Sequence, residues 1–153
     1  MDYMDLLQRH DDPKHWEYPP GFDDIAASAR FDKCADALSI AIGSPLRSET
    51  GSAIQDASFH SQIFASVGDD RYAMIRFSNF GDMVSVGTCY FGEMAPDDAD
   101  EPIPPTMLKT IVAVLEKEGY VYVPPEVLMQ RYTGKNPGVT GIRDWWIRYF
   151  DWV

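Results

Sequence analysis

Residues 57–91, ASFHSQIFASVGDDRYAMIRFSNFGDMVSVGTCYF, decide the fold class. Apolar and polar side chains alternate with a period of two through this stretch, which is typical of half-buried β-strands. The alternation predicts three strands, over 57–67, 71–78 and 83–91. Turn-forming residues separate them, first Gly68-Asp69-Asp70 and then Asn79-Phe80-Gly81-Asp82. We therefore expect an antiparallel β-meander.

Helical periodicity flanks the meander on both sides. Asp23 and Asp24 favour a helix N-terminus, and Gly43 with Pro45 ends that helix. Its apolar side chains recur on one stripe: Ala27, Phe31, Cys34, Ala35, Leu38, Ala41 and Ile42. A second helix is predicted over 105–118, beginning among prolines and ending at Gly119.

The segments after the second helix are shorter. Residues 120–123 predict a short strand, and 126–132 a helical turn. The final segment, 142–153, fits a helix better than a strand, because only a helix gathers most of its aromatic side chains on one side. That arrangement places Arg143, Asp144, Arg148 and Asp151 on the opposite, polar side.

The expected fold class is α+β, with an N-terminal helix, a meander of three or more antiparallel strands, a second helix, a short strand and a C-terminal aromatic amphipathic helix. Residues 1–21 are polar and acidic and contain Pro13, Pro19, Pro20 and Gly21. We interpret them as an irregular arm that precedes a single domain over 22–153.

Charge and cysteine content restrict the class of protein. The 153 residues carry 24 Asp and Glu against 13 Lys and Arg, a formal charge of −11. No dense basic cluster offers a site for phosphates, so we expect neither a nucleic acid nor a membrane surface as partner. The acidic N-terminus lacks the pattern of a secretory signal, which predicts a cytoplasmic protein. Cys34 and Cys89 lie far apart in the sequence, so we expect both thiols to be buried and free.

Common catalytic motifs are absent from the sequence, including phosphate-binding, zinc-protease and serine-hydrolase patterns. This lowers the expectation of an enzyme. His10, Asp11, Asp12 and His15 have side chains that can ligate metals, but Pro13 and the five-residue histidine spacing favour a solvated arm. We expect no cofactor and no metal.

One alternative is a ligand site or an active site on the sheet. His60, Tyr72 and Arg76 share the outer face of the predicted meander. Arg76 could bind a carboxylate or phosphate, with His60 or Tyr72 as the proton donor. The competing interpretation is that a helix covers this face.

Two further surfaces suggest a protein partner. No Lys or Arg occurs from Phe77 through Leu108, whereas Asp97, Asp98, Asp100 and Glu101 are clustered in this stretch. An acidic surface of this kind steers association with a basic protein. At the C-terminus, Trp145 and Trp152 flank Arg148, and these residue types are common in interfaces. They predict a partner site or a homodimer seam if they are not core.

Small size, acidic balance, the order of elements and the closing segment DWWIRYFDWV (144–153) together resemble bacterial toxin-immunity proteins. The resemblance implies a cytoplasmic inhibitor that neutralises a cognate toxin, often a basic nuclease. It rests on general character over most of the chain and implies no particular inhibitory residues. The favoured hypothesis is a non-enzymatic protein-binding module that presents an acidic surface to a basic partner.

Overall fold

A central sheet with helices against both faces organises the chain in the computed structural model. The structure describes residues 1–16, 18–43, 46–50, 61–68, 71–90, 93–95, 103–135 and 141–150. Within these ranges the elements follow in the order α1 (Tyr3–Arg9), α2 (Asp24–Ile42), β1 (Arg47–Thr50), β2 (Ser61–Gly68), β3 (Arg71–Phe77), β4 (Met83–Tyr90), β5 (Glu93–Ala95), α3 (Pro105–Lys117), β6 (Val121–Tyr122), α4 (Pro125–Leu128) and α5 (Trp145–Tyr149).

The sheet is mostly antiparallel. Strands β1 to β5 lie side by side in sequence order, and each pairs antiparallel with the next. The short strand β6 joins β4 in parallel, with Met83 opposite Val121. The register of the central hairpins sets Ile63 beside Ile75 and Ile75 beside Val86, so aliphatic side chains line up across three strands.

Local chemistry explains where the two long helices begin and end. The Asp23 carboxylate accepts hydrogen bonds from the Ile25 and Ala26 amides, both at 3.1 Å, and caps the N-terminus of α2. Gly43 closes α2 with a left-handed φ of 76°. Prolines at 104 and 105 open α3, where a missing amide hydrogen costs no helical bond.

The two faces of the sheet bury different cores. Ile63, Ala73, Ile75, Phe77, Val84 and Val86 face α2 and α3, whose Phe31, Cys34, Leu38, Ile111 and Leu115 cover them. The opposite face is covered by the first helix and the C-terminal third of the chain. Its core contains Leu6, Leu7, Phe64, Met74, Phe80, Met83, Val123, Leu128, Tyr132, Trp145, Trp146, Tyr149 and Phe150.

The prediction of an irregular arm over 1–21 is wrong for residues 3–9, which form α1. Asp2 caps this helix by accepting from the Asp5 amide, and Leu6 and Leu7 are buried. Their burial against the sheet explains why so short a helix forms, because an isolated helix of this length is unstable in water. The N-terminal segment is therefore part of the second core.

The predicted α+β class, the meander and the two long helices are confirmed, with boundaries within a few residues of those expected. Two short strands, β1 and β5, were not predicted. Helix α5 spans only Trp145–Tyr149, whereas a helix over 142–153 was predicted. Residues 151–153 lie outside the described residues.

Candidate functional site

A fully buried ion pair joins the two ends of the chain. Arg148 on α5 donates through Nε to Asp11 Oδ1 at 2.8 Å, and both side chains have 0% exposure. Asp11 follows α1, which the Leu6 and Leu7 contacts hold against the sheet. Residues 137 positions apart are thereby linked.

The second carboxylate oxygen of Asp11 is also occupied. It accepts from the Tyr132 hydroxyl and from the Lys135 amide, each at 2.6 Å. Burial raises the pKa of Asp11, but the hydrogen bonds from Tyr132, Arg148 and the Lys135 amide outweigh burial and leave this pKa below its usual value. A Cβ at Gly134 would overlap the Asp11 carboxylate and the Tyr132 hydroxyl, so the loop passes here only with glycine.

The rest of the Arg148 guanidinium is enclosed by backbone oxygens and aromatic rings. It donates to the carbonyls of His15 at 3.0 Å and Trp16 at 3.2 Å, and packs 4.4 Å from the centre of the Trp16 ring. Delocalised charge of this kind is favourable over aromatic faces. Arg148 is therefore satisfied inside the protein.

These positions correct the expected surface at the C-terminus. Trp145 is completely buried and Arg148, backbone included, is only 3% exposed, so both lie in the interior and not on an exposed rim. Asp144, placed on the polar side by the helical pattern, is buried as the N-cap of α5 and accepts from the Ile147 amide. Trp152 lies outside the described residues.

Arg76 on β3 also lies beneath the C-terminal segment, which covers the sheet face where a ligand site was predicted. Only 4% of Arg76 is exposed. Its guanidinium donates to Gln62 Oε1 at 3.1 Å and to the Phe150 carbonyl at 2.8 Å, and lies 5.4 Å from the Trp146 ring centre. Gln62 Nε2 in turn donates to the Glu49 carboxylate at 2.7 Å, so a chain of hydrogen bonds connects Arg76 to Glu49.

The two described residues of that predicted site, Tyr72 and Arg76, do not form an open site, because Arg76 is buried. Tyr72 lies on the same strand as Arg76, but it is only partly buried and packs edge-on against Phe64 at 6.3 Å. His60 lies outside the described residues. In this conformation Arg76 supports the packing of the C-terminal segment.

The residues weighed as metal ligands near the N-terminus are directed to different partners. Asp11 binds Arg148, whereas Asp12 accepts from the Lys14 amide and contacts His15 Nδ1 at 2.7 Å. The His10 ring lies against Gly81. Within the described ranges, no group of three His, Cys, Asp or Glu residues is arranged to hold a metal.

A small cleft opens where α2 meets β6. Its volume is about 50 Å³, and its lining includes Phe22, Arg30, Asp82 and Tyr120. Arg30 bridges the cleft, because it binds Asp82 Oδ1 at 2.6 Å and the Gly119 carbonyl at 2.6 Å while lying 4.2 Å from the centre of the Tyr120 ring. The cleft is too small for a drug-sized ligand, since such sites occupy roughly 300–1,000 Å³.

The charged residues are distributed unevenly along the chain. All 13 Lys and Arg residues belong to the described ranges, and five of them form ion pairs there: Arg9, Arg30, Lys33, Arg47 and Arg148. From Phe77 through Leu108 the sequence contains no Lys or Arg but six acids: Asp82, Glu93, Asp97, Asp98, Asp100 and Glu101. The four acids over 97–101 that were predicted to contact a partner lie outside the described residues.

Comparison with known proteins returns no matching family model, curated protein or solved structure. Among the described residues, no helix is both long enough and apolar enough to cross a membrane.

Proposed function

We propose that this chain is a non-enzymatic protein-binding module that presents an acidic surface to a basic partner. The observation that carries the proposal is the separation of charge along the chain. The stretch 77–108 contains six acids and no Lys or Arg, while Arg30, Lys33 and Arg148 are engaged in ion pairs within the chain. Such an excess attracts a cationic protein and repels anionic ones.

The burial of Arg76 and Arg148 favours this proposal over a ligand site on the sheet. Arg76 was predicted to bind an anionic ligand and Arg148 to contact a partner, yet both are enclosed and satisfied by internal acceptors. Neither guanidinium is therefore accessible to an anionic ligand at the surface.

A narrower form of the proposal is a cytoplasmic immunity or inhibitor protein, with a toxin as the basic partner. Toxin-immunity proteins share the size, acidic balance and closing aromatic segment. An inhibitor needs a rigid scaffold for its contact surface, which the buried Asp11–Arg148 pair and the two cores provide.

The experiment begins with capture of partners from native extract by the full chain at about 50 mM and about 500 mM salt, where screening lengths differ severalfold. The captured protein is then purified and its affinity measured directly. We expect a basic protein, bound more tightly at low salt. Reversal of Asp97, Asp98, Asp100 and Glu101 to Lys should weaken binding by at least about tenfold.

A matched control reverses four acids elsewhere, Asp69, Asp70, Glu116 and Glu126, for the same change in net charge. It should weaken binding less than the 97–101 variant does. An acidic partner, or equal affinity for the 97–101 variant and the unmodified chain, would contradict the acidic-surface proposal. For the immunity form, co-expression should relieve the toxicity of the partner, and unrelieved toxicity would contradict it.

A further inference from the structure

The outer face of α2 carries two strongly exposed isoleucines. Ile25 is 84% exposed and Ile40 is 83% exposed, whereas Phe31, Cys34 and Leu38 on the opposite side of the helix are buried. Isoleucine is among the residues most often found in the interior. Helix α2 therefore exposes two large apolar side chains on the side that faces away from the core.

The exposed residues between the two isoleucines complete a single line along the helix. Ile25, Ala29, Asp32, Asp36 and Ile40 follow at spacings of four, three, four and four residues, and all are exposed. With a rise of 1.5 Å per residue, the isoleucines lie about 22 Å apart. We call these five residues the outer α2 stripe: an apolar side chain at each end and two carboxylates between them.

The two carboxylates are not neutralised within the described residues. No ion pair there involves Asp32 or Asp36, and the adjacent Lys33 turns instead to Glu118 at the end of α3, with Nζ 3.6 Å from Oε2. Like charges four residues apart destabilise a helix. A cation from outside the chain would relieve that repulsion.

A second copy of the chain fits this stripe poorly. Antiparallel pairing of two α2 helices would bring Ile25 of one copy near Ile40 of the other, but it would also gather four carboxylates within about 10 Å of helix length. Parallel pairing would set each aspartate beside its equivalent. Like charges brought together at an interface are strongly unfavourable, so charge complementarity selects a basic partner.

We propose that the outer α2 stripe is the docking surface for a basic amphipathic segment of a partner protein. The segment would carry two apolar side chains about 22 Å apart, to contact Ile25 and Ile40, with Lys or Arg between them to face Asp32 and Asp36. The inference rests on the proposed function, because that function supplies a basic partner. It adds a location and a spacing for the contact.

The test uses the full chain and a synthetic helical peptide as the probe. The peptide has leucines fifteen positions apart on one face with arginines between them, and two control peptides carry glutamates in place of arginine or leucines only eight positions apart. Isoleucine methyl NMR spectra report the site. We expect shifts at Ile25 and Ile40 with the first peptide, unchanged buried Ile63 and Ile75, and weak binding of both controls.

Two sets of variants measure the contributions of the stripe. I25S/I40S should weaken peptide binding about tenfold, since central apolar contacts dominate such interfaces. D32N/D36N should weaken it severalfold and remove most of its salt dependence. Met129→Ser, at another exposed apolar residue, is the matched control and should leave binding unchanged.

Unchanged affinity in I25S/I40S, methyl shifts confined to other isoleucines, or no measurable binding of the arginine peptide would overturn the docking surface. The proposed function fails separately. If stripe variants bind a captured basic partner normally while the 97–101 reversal does not, the docking surface is wrong and the acidic module stands. If the captured partner is acidic, the proposed function itself is wrong.

Discussion

Arg148 and Asp11 form an ion pair whose side chains are both fully buried, with 2.8 Å between Nε and Oδ1. The pair fastens the C-terminal helix to the segment that follows the N-terminal helix. Two charges removed from water are expensive unless every donor and acceptor is satisfied. Here the Tyr132 hydroxyl, the Lys135 amide and the carbonyls of His15 and Trp16 complete the set.

Removal of one partner of this pair should therefore destabilise the fold strongly. Arg148→Met leaves the Asp11 carboxylate buried without its cation, and we expect the free energy of unfolding to fall by about 3–5 kcal/mol. Urea denaturation measures the change. The exposed Arg9–Asp5 pair provides the control, since Arg9→Met should cost no more than about 1 kcal/mol. Similar losses in the two variants would show that burial does not set the strength of the pair.

Asp11 should also make stability depend on pH on the acid side. Its pKa is lower in the folded protein than the usual value of 3.8, so the unfolded chain binds the proton more readily. The stabilisation is present above the unfolded pKa and is lost as pH falls through the folded pKa. Urea unfolding at a series of pH values should show a flatter acid limb for Asp11→Asn than for the unmodified chain. Parallel curves would assign the acid sensitivity to other carboxyl groups.

Arg76 should contribute to stability and to the packing of the aromatic segment above it. Arg76→Met removes donors from Gln62 Oε1 and from the Phe150 carbonyl, and a buried unsatisfied acceptor costs about 1–3 kcal/mol. We expect a loss in this range, with a changed near-ultraviolet circular dichroism signal from the nearby Trp146. Arg143→Met, at an exposed position, should change neither quantity. Equal stability of both variants would mean that Arg76 is not held as described.

The Cys34 thiol should be unreactive in the folded protein. Burial raises its pKa to about 12, with a smaller contribution from Glu118, so the reactive thiolate is scarce at neutral pH. In a Cys89→Ala background, a thiol reagent at pH 8 should label Cys34 only after denaturation. The converse variant, Cys34→Ala, identifies any signal that comes from Cys89. Rapid labelling of native Cys34 would contradict its burial.

Local signals in the sequence are sufficient for much of the fold. Asp23 and Gly43 delimit α2, the prolines at 104 and 105 begin α3, and the period of two identifies β2, β3 and β4. The first helix was missed although Tyr3, Leu6 and Leu7 have helical spacing behind a capping Asp2. That signal is short, and the helix it produces is stable only when packed against a sheet that is distant in sequence.

The candidate site was harder to predict because its interactions are remote in sequence. Helical periodicity assigned Arg148 to solvent, and only Asp11, far away in the chain, explains its burial. The same periodicity could not show that the C-terminal segment covers Arg76. This arginine binds the backbone carbonyl of Phe150, and a backbone contact leaves no signal in the identity of the side chains. Short edge strands such as β1 carry too few residues for an alternating pattern.

The most direct test of the acidic module is the ionic-strength dependence of the association rate with the captured partner, measured for the unmodified chain and for the Asp97, Asp98, Asp100 and Glu101 reversal. We predict that the rate for the unmodified chain falls steeply with salt and that the reversal removes most of this dependence and slows association at low salt. A rate that is insensitive to salt, or equally sensitive in both proteins, would contradict binding through that acidic surface.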